Sequence, residues 1–199
     1  LRPSGTLVLE DPDWGSWHFN PPAQADEKLI ALVCQAFARW GDALAGPTQT
    51  YRASGDPRIL SDIENTVKLF DRFYKDDKLG GYFSHIDPVT LDPRSDTLGP
   101  NRAKKNWNSV GDHAPAYLIN LYLATGEEKY ADFLVDTANT IARHFPDYED
   151  SPFVNERFHE DWTHDKTWGW QQDRAVVGHN LEIAWNLMRI HSARPSMAY

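Results

Sequence analysis

The stretch Arg174-Ala175-Val176-Val177-Gly178-His179-Asn180-Leu181-Glu182-Ile183-Ala184-Trp185-Asn186-Leu187-Met188-Arg189-Ile190-His191 decides how the chain is read. Val176, Val177, Leu181, Ile183, Ala184, Leu187, Met188 and Ile190 recur at helical spacing and predict an amphipathic core helix with a broad buried face. His179 and Glu182 stand three apart, so an imidazole and a carboxylate share one helical face near the N-terminal end. They are the first candidates for chemistry. Just upstream, Trp168-Gly169-Trp170-Gln171-Gln172 offers indoles to stack on a sugar ring and amides to hydrogen-bond its hydroxyls.

Outward from this helix the chain repeats itself. Tyr51-Arg52-Ala53-Ser54-Gly55-Asp56, followed by Ile59, Ile63, Val67 and Phe70, aligns without gaps on Tyr122-Leu123-Ala124-Thr125-Gly126-Glu127, followed by Tyr130, Leu134, Ala138 and Ile141. Thr66 falls on Thr137 and Arg72 on Arg143, a repeat of 71 residues. Each unit predicts a helix ended by a left-handed glycine and a second helix starting at once, so the two are antiparallel neighbours. A third unit begins at Val177-Gly178, which echoes Val110-Gly111, and Ala184-Trp185 echoes Ala116-Tyr117. Repeated helical hairpins either stack as a solenoid or close as an α/α toroid. The expected fold is all-α, one partial α/α-barrel domain over residues 1–199, with 1–23 an irregular N-terminal segment and a short strand at Thr6–Leu9. Residues 24–44 add a further helix, through Leu29, Ile30, Val33, Phe37 and Trp40.

The long connections, residues 79–108 and 145–173, carry most of the Gly, Pro, Trp and His, and loops of that length are functional or form short strands. In the first, Gly80-Gly81-Tyr82-Phe83 reads as a tight turn into a short strand.

Composition bounds the partners. The 199 residues bear a net charge of −9, which argues against nucleic acid or an anionic membrane surface, since both need a basic patch. Eight Trp, eight Tyr and nine Phe favour a pocket for something flat or cyclic. The one cysteine, Cys34, cannot form an internal disulfide, which fits a reducing, cytoplasmic setting. No apolar run reaches the roughly 18 residues of a membrane helix. The opening Leu1 and the tail Ser192–Tyr199 are compatible with a fragment or processed product.

With these residues in view, the sequence resembles the N-acylglucosamine 2-epimerase family, which includes the cellobiose 2-epimerases. The resemblance spans about residues 50–192 and rests on Gly80-Gly81-Tyr82-Phe83, Asn108, Ala116-Tyr117-Leu118, Ala124-Thr125-Gly126 and above all Gly178-His179-Asn180-Leu181-Glu182 running into Ala184-Trp185. It implies an (α/α)6 barrel of about twice this length, so that this chain holds about half. It implies inversion or isomerisation beside the reducing end of a mono- or disaccharide by two histidines acting as acid and base, without metal or organic cofactor. His179 matches the first histidine, with Glu182 as its partner, and Tyr82, Asn108, Trp168 and Trp170 are the expected substrate-binding residues. The second histidine lies in a later helix of the family, beyond this chain, so a homo-oligomer or a complementing chain is compatible with a whole site. Where the family often has another histidine, this chain has Asp112, with His113 beside it. Arg52 is the nearest match to the family's substrate-binding arginine.

Histidine suits the chemistry, because its reference pKa of about 6.5 lets it take and return a carbon-bound proton near neutrality. An enediolate intermediate also calls for a polar donor near the carbonyl. Two alternatives stay open. One is a glycoside hydrolase or lyase on the same toroid, using paired carboxylates such as Asp161 or Asp165 with Glu156. The other is a truncated carbohydrate-binding fragment without catalysis. His159, Glu160 and His164 do not form a zinc helix motif, since the histidines are five apart rather than four.

Overall fold

The computed structural model describes residues 7–11, 15–19, 40–107, 113–169 and 175–195. Cys34, Asn108, Asp112, Trp170, Gln171 and Gln172, and the part of the expected helix before Trp40, lie outside them.

Among the described residues five α-helices carry the architecture: α1 (Trp40–Ser54), α2 (Pro57–Phe73), α3 (His113–Thr125), α4 (Glu128–His144) and α5 (Val177–Ala193). The repeat is structural. Both first helices end on a glycine in the left-handed region, Gly55 at φ +65° and Gly126 at φ +69°. In each, the glycine N–H donates 2.8 Å back to the corresponding tyrosine carbonyl, Tyr51 or Tyr122. Asp56 then caps α2 by accepting from the Arg58 N–H at 2.9 Å, and Pro57 sits at the first helical position, where its missing donor costs nothing.

Helix α1 packs on α2 and on α3, α3 packs on α4, and α5 packs on both α3 and α4. The first helix of each unit therefore lies beside the next, as in a sector of an α/α toroid. One continuous core joins the two hairpins through Leu44, Ile63, Phe70, Tyr117, Leu118, Leu121, Tyr130 and Leu134. Burying such side chains contributes about 1.5–3 kcal/mol apiece.

Helix α5 departs from the expectation of a broad buried face. Ile183, Asn186 and Ile190 are buried, whereas Val177, Leu181, Trp185 and Met188 are between 52% and 71% exposed. The apolar residues cover two faces, and α3 and α4 cover only one of them.

Among the described residues two antiparallel strand pairs accompany the helices. Strand β1 (Leu7–Asp11) pairs with β2 (Gly15–Phe19), Leu7 opposite Phe19, in the segment expected to be irregular apart from a strand at Thr6–Leu9. Leu7-Val8-Leu9 and Trp17, His18 and Phe19 are mainly strand-forming types, and pairing overrides the neighbouring Pro and Gly signals. Strand β3 (Lys104–Asn106) pairs with β4 (Arg157–His159), joining the two long connections into one body. The Gly80-Gly81 turn forms as expected, with φ of +76° and +74°, but the strand after it shrinks to a single bridge between Lys75 and Tyr82.

Lys105 staples these connections together. Its fully buried ammonium is ion-paired with Asp76 Oδ2 at 2.8 Å, donates to the Gly80 carbonyl at 2.7 Å and to the Glu160 carbonyl at 2.8 Å, and lies over the Trp162 ring. No helix among the described residues is long and apolar enough to cross a membrane.

Candidate active site

The site begins where the ribbon meets the start of α5. Side chains alternate along a strand, so Lys105, Trp107, Glu156 and Phe158 share one face of the ribbon while Lys104, Asn106, Arg157 and His159 share the other. The first face packs on Phe145, Trp162 and Ile183 in a second hydrophobic cluster. The Trp107 N–H donates to the Glu156 carbonyl at 2.9 Å, extending the ladder and fixing Glu156 beneath the N-terminus of α5.

Glu156 is 5% exposed and both its oxygens are used. Oε1 accepts from the Val176 N–H at 3.2 Å and Oε2 accepts from His179 Nδ1 at 2.7 Å. The positive end of the helix dipole favours a carboxylate at this place. The His179 ring stacks on the Trp107 indole, with centroids 3.8 Å apart and planes 12° from parallel. Asn180 locks the same corner: its Oδ1 accepts from the Val154 N–H at 2.9 Å and its amide donates to the Val176 carbonyl at 3.0 Å.

This geometry sets the histidine's tautomer. A carboxylate only accepts, so Nδ1 carries the proton toward Glu156 and the lone pair of the neutral ring is on Nε2. The side chain is 26% exposed, so the ring is held on two sides without being sealed. An imidazole that is oriented, backed by a carboxylate and part-open can take a proton from a bound molecule and return it.

The expected partner of His179 is thus replaced. Glu156, 23 residues upstream, takes the ring nitrogen rather than Glu182, because the loop delivers its carboxylate under the helix start from outside the helix. Trp107 and Asn180 were missed as site residues, and Glu156 was named only as a carboxylate of the hydrolase alternative. A hint existed for Asn180, which sits inside the Gly178–Glu182 motif.

The other candidates fall in different places. Tyr82 is a core residue at 5% exposure, its hydroxyl donating to Asp71 Oδ1 at 2.7 Å and its ring against Phe133, so it is not a pocket wall as expected. Burial and the Asp71 charge push its phenol well above the ordinary range. Trp168 is 8% exposed, with its indole N–H donating to Asn101 at 2.9 Å, and it borders a recess with Lys104, Thr167 and Gly169. Arg52 reaches Asn120 at 3.3 Å and so ties α1 to α3. A cleft of about 260 Å³ runs beside the ribbon, bordered by Asp147, Asn155, Glu156, Arg157 and His164.

The carboxylates of the hydrolase alternative are occupied. Burial pushes the Asp165 carboxyl up, but hydrogen bonds from the Lys104 ammonium and from Thr167 outweigh it and bring it down to about 2. The hydroxyl and N–H of Thr163 lower Asp161. A general acid on a glycosidic oxygen needs the opposite, a carboxyl kept protonated near neutrality. His159 and His164 have separate duties, the first 2.9 Å from the Lys104 ammonium and the second 2.9 Å from the Asn155 amide.

Comparison with solved structures places this arrangement. The cellobiose 2-epimerase of Spirochaeta thermophila DSM 6192 superposes with a TM-score of 0.61 at 16% identity, over 80% of this chain and 38% of that one. The cellobiose 2-epimerase of Bacillus thermoamylovorans B4167 gives 0.63 at 13% identity, over 94% and 45%. A D-mannose isomerase gives 0.58 at 23% identity, over 85% and 38%. The fold is that of the sugar epimerases. The resemblance read from the sequence is accordingly one of architecture, an α/α toroid of which this chain spans about two fifths of the neighbours' length. No family model and no curated protein matches the chain.

Proposed function

We propose that the chain carries the proton-transfer centre of a sugar 2-epimerase or aldose–ketose isomerase, with His179 as the base at C2 of a free reducing sugar. The observation that carries this reading is the 2.7 Å contact between His179 Nδ1 and buried Glu156, which leaves Nε2 as the basic nitrogen. Nε2 takes the C2 proton as the carbonyl oxygen gains charge, giving an enediolate. The Glu156 carboxylate faces the positive charge that develops on the ring, and Trp107 keeps the ring from turning away. Returning a proton to C2 from the opposite face gives the epimer, and returning it to C1 gives the ketose. The opposite-face donor is assigned to the part of the toroid that this sequence does not span. The fold of the neighbours supports the substrate class, a mono- or disaccharide, by analogy alone.

The test is His179→Asn, followed by exchange of the C2 hydrogen with solvent deuterium. Exchange is expected to vanish while the variant stays folded; unchanged exchange would dismiss His179 as the base.

A further inference from the structure

The face of the ribbon opposite Glu156 carries a cation, Arg157. Arg157 makes no hydrogen bond and no ion pair among the described residues, and its buried Nε has no partner. Its guanidinium lies over the Trp168 indole, 5.2 Å from the ring centroid, and 3.8 Å from where a Cβ on Gly169 would stand. A Cβ there would only touch the guanidinium; it is the left-handed φ of +75° that favours glycine at this position. His85 closes the same side, its ring meeting Trp168 edge-on at 6.2 Å. Burial first, and then the Arg157 charge, hold that imidazole below its ordinary range.

The acids near Arg157 direct their hydrogen bonds elsewhere: Glu156 serves His179 and Val176, and Asp165 serves Lys104 and Thr167. Glu156 acts on Arg157 through its charge alone. The half-buried guanidinium resting on an indole keeps its flat fork without a hydrogen bond among the described residues, and that fork matches a carboxylate or phosphate with two parallel hydrogen bonds. The chain is acidic overall, at −9, so an anionic ligand would be held by such a local feature and not by the general field. Arg157 and Glu156 both border the cleft of about 260 Å³, which sets Arg157 next to the residue that orients His179.

We propose that Arg157, backed by Trp168, is the anion-binding end of the sugar site, and that the substrate is a reducing sugar bearing a carboxylate or a phosphate away from C2. This inference rests on the sugar-epimerase reading above. Arg157 acts here as a specificity residue, with His179 left to the proton transfer.

The test is calorimetric binding of glucose, glucuronate, glucose 6-phosphate and inorganic phosphate to the full chain, in wild type, Arg157→Gln and Arg157→Lys. At least one acidic sugar is expected to bind about tenfold tighter than glucose, as one charge-assisted contact supplies. Which one does so tells carboxylate from phosphate. Arg157→Gln should erase the preference and leave glucose affinity within about twofold, with Arg157→Lys between the two. A second readout is independent of those variants: binding of the acidic sugar to wild type should raise the His85 titration midpoint, because the Arg157 charge is then neutralised. Equal affinity for neutral and acidic sugars, binding of no sugar, inorganic phosphate binding as tightly as the acidic sugar, or a preference that survives Arg157→Gln would each overturn the inference. Deuterium exchange at C2 of neutral sugars with no charge preference would leave the epimerase reading standing and remove only this one. Arg157-dependent binding of an acidic sugar without exchange would do the reverse.

Discussion

Replacing Glu156 isolates the one contact on which the site depends. In Glu156→Ala the His179 Nδ1–H and the Val176 N–H both lose their acceptor, at 2.7 and 3.2 Å, in a place where the carboxylate is 5% exposed. Both hydrogen bonds go to a charged group, each worth about 1.5–3 kcal/mol, so the sum is roughly 3–6 kcal/mol. For a chain of this length each kcal/mol moves Tm by about 2–4 °C, which predicts a fall of roughly 6–24 °C. Glu156→Gln keeps the shape but has one acceptor oxygen for two donors, so it should lose about half as much stability and release the tautomer. The assay is thermal unfolding together with nitrogen NMR of the His179 ring above pH 7.5. Wild type should show the proton on Nδ1, and Glu156→Gln a mixture of tautomers. A wild-type ring protonated on Nε2, or a Gln variant identical to wild type in both tautomer and Tm, would refute the reasoning.

The remaining predictions concern what holds the site in place. Lys105→Met leaves buried Asp76 with only the longer Arg94 ion pair, at 3.8 Å, and should cost about 3–5 kcal/mol in urea unfolding, because a broken buried pair is far worse than no pair. Gly81→Ala places a Cβ 2.5 Å from the Trp162 ring at φ +74° and should cost about 3 kcal/mol or more, whereas Gly80→Ala, at φ +76° in open space, should cost only about 1–2 kcal/mol of backbone strain. Equal losses at Gly80 and Gly81 would contradict the packing. Two groups set the acid response. Asp165, brought down to about 2 from 3.8, contributes stability that is present above pH 3.8 and lost as pH falls through about 2; Lys104→Met should move that loss to higher pH. His85, held low, makes stability decline as pH drops below about 6.5, where the unfolded imidazole binds a proton that the folded one resists; Arg157→Gln should raise the His85 midpoint seen by NMR.

Local signals carried the helices and the repeat. The Gly55 and Gly126 caps, the helix starts directly after them and the apolar spacing from Ile59 to Phe70 are decided within a few residues, and the structure shows them as read. Contacts made across long separations were not legible. Glu156 meets His179 over 23 positions, and Trp162 donates to the Leu79 carbonyl over 83, so no spacing rule points to either. Periodicity also cannot say which apolar face finds a neighbour, hence the exposure of Leu181 and Met188 in a helix read as core. Tyr82 was misplaced for a related reason: an aromatic beside a glycine turn can line a pocket or close a core, and the Asp71 acceptor that decides between them lies 11 residues away. Lys105 is a charged side chain buried whole, which composition alone argues against.

The most direct measurement is proton NMR of the purified chain in deuterated water with cellobiose, mannose, N-acetylglucosamine and glucuronate. The account predicts deuterium entering C2 of at least one sugar, with its epimer or ketose forming where the opposite-face donor is present, and loss of that exchange in His179→Asn. A folded chain, supplied with the rest of the toroid, that leaves C2 unexchanged in every sugar would contradict it.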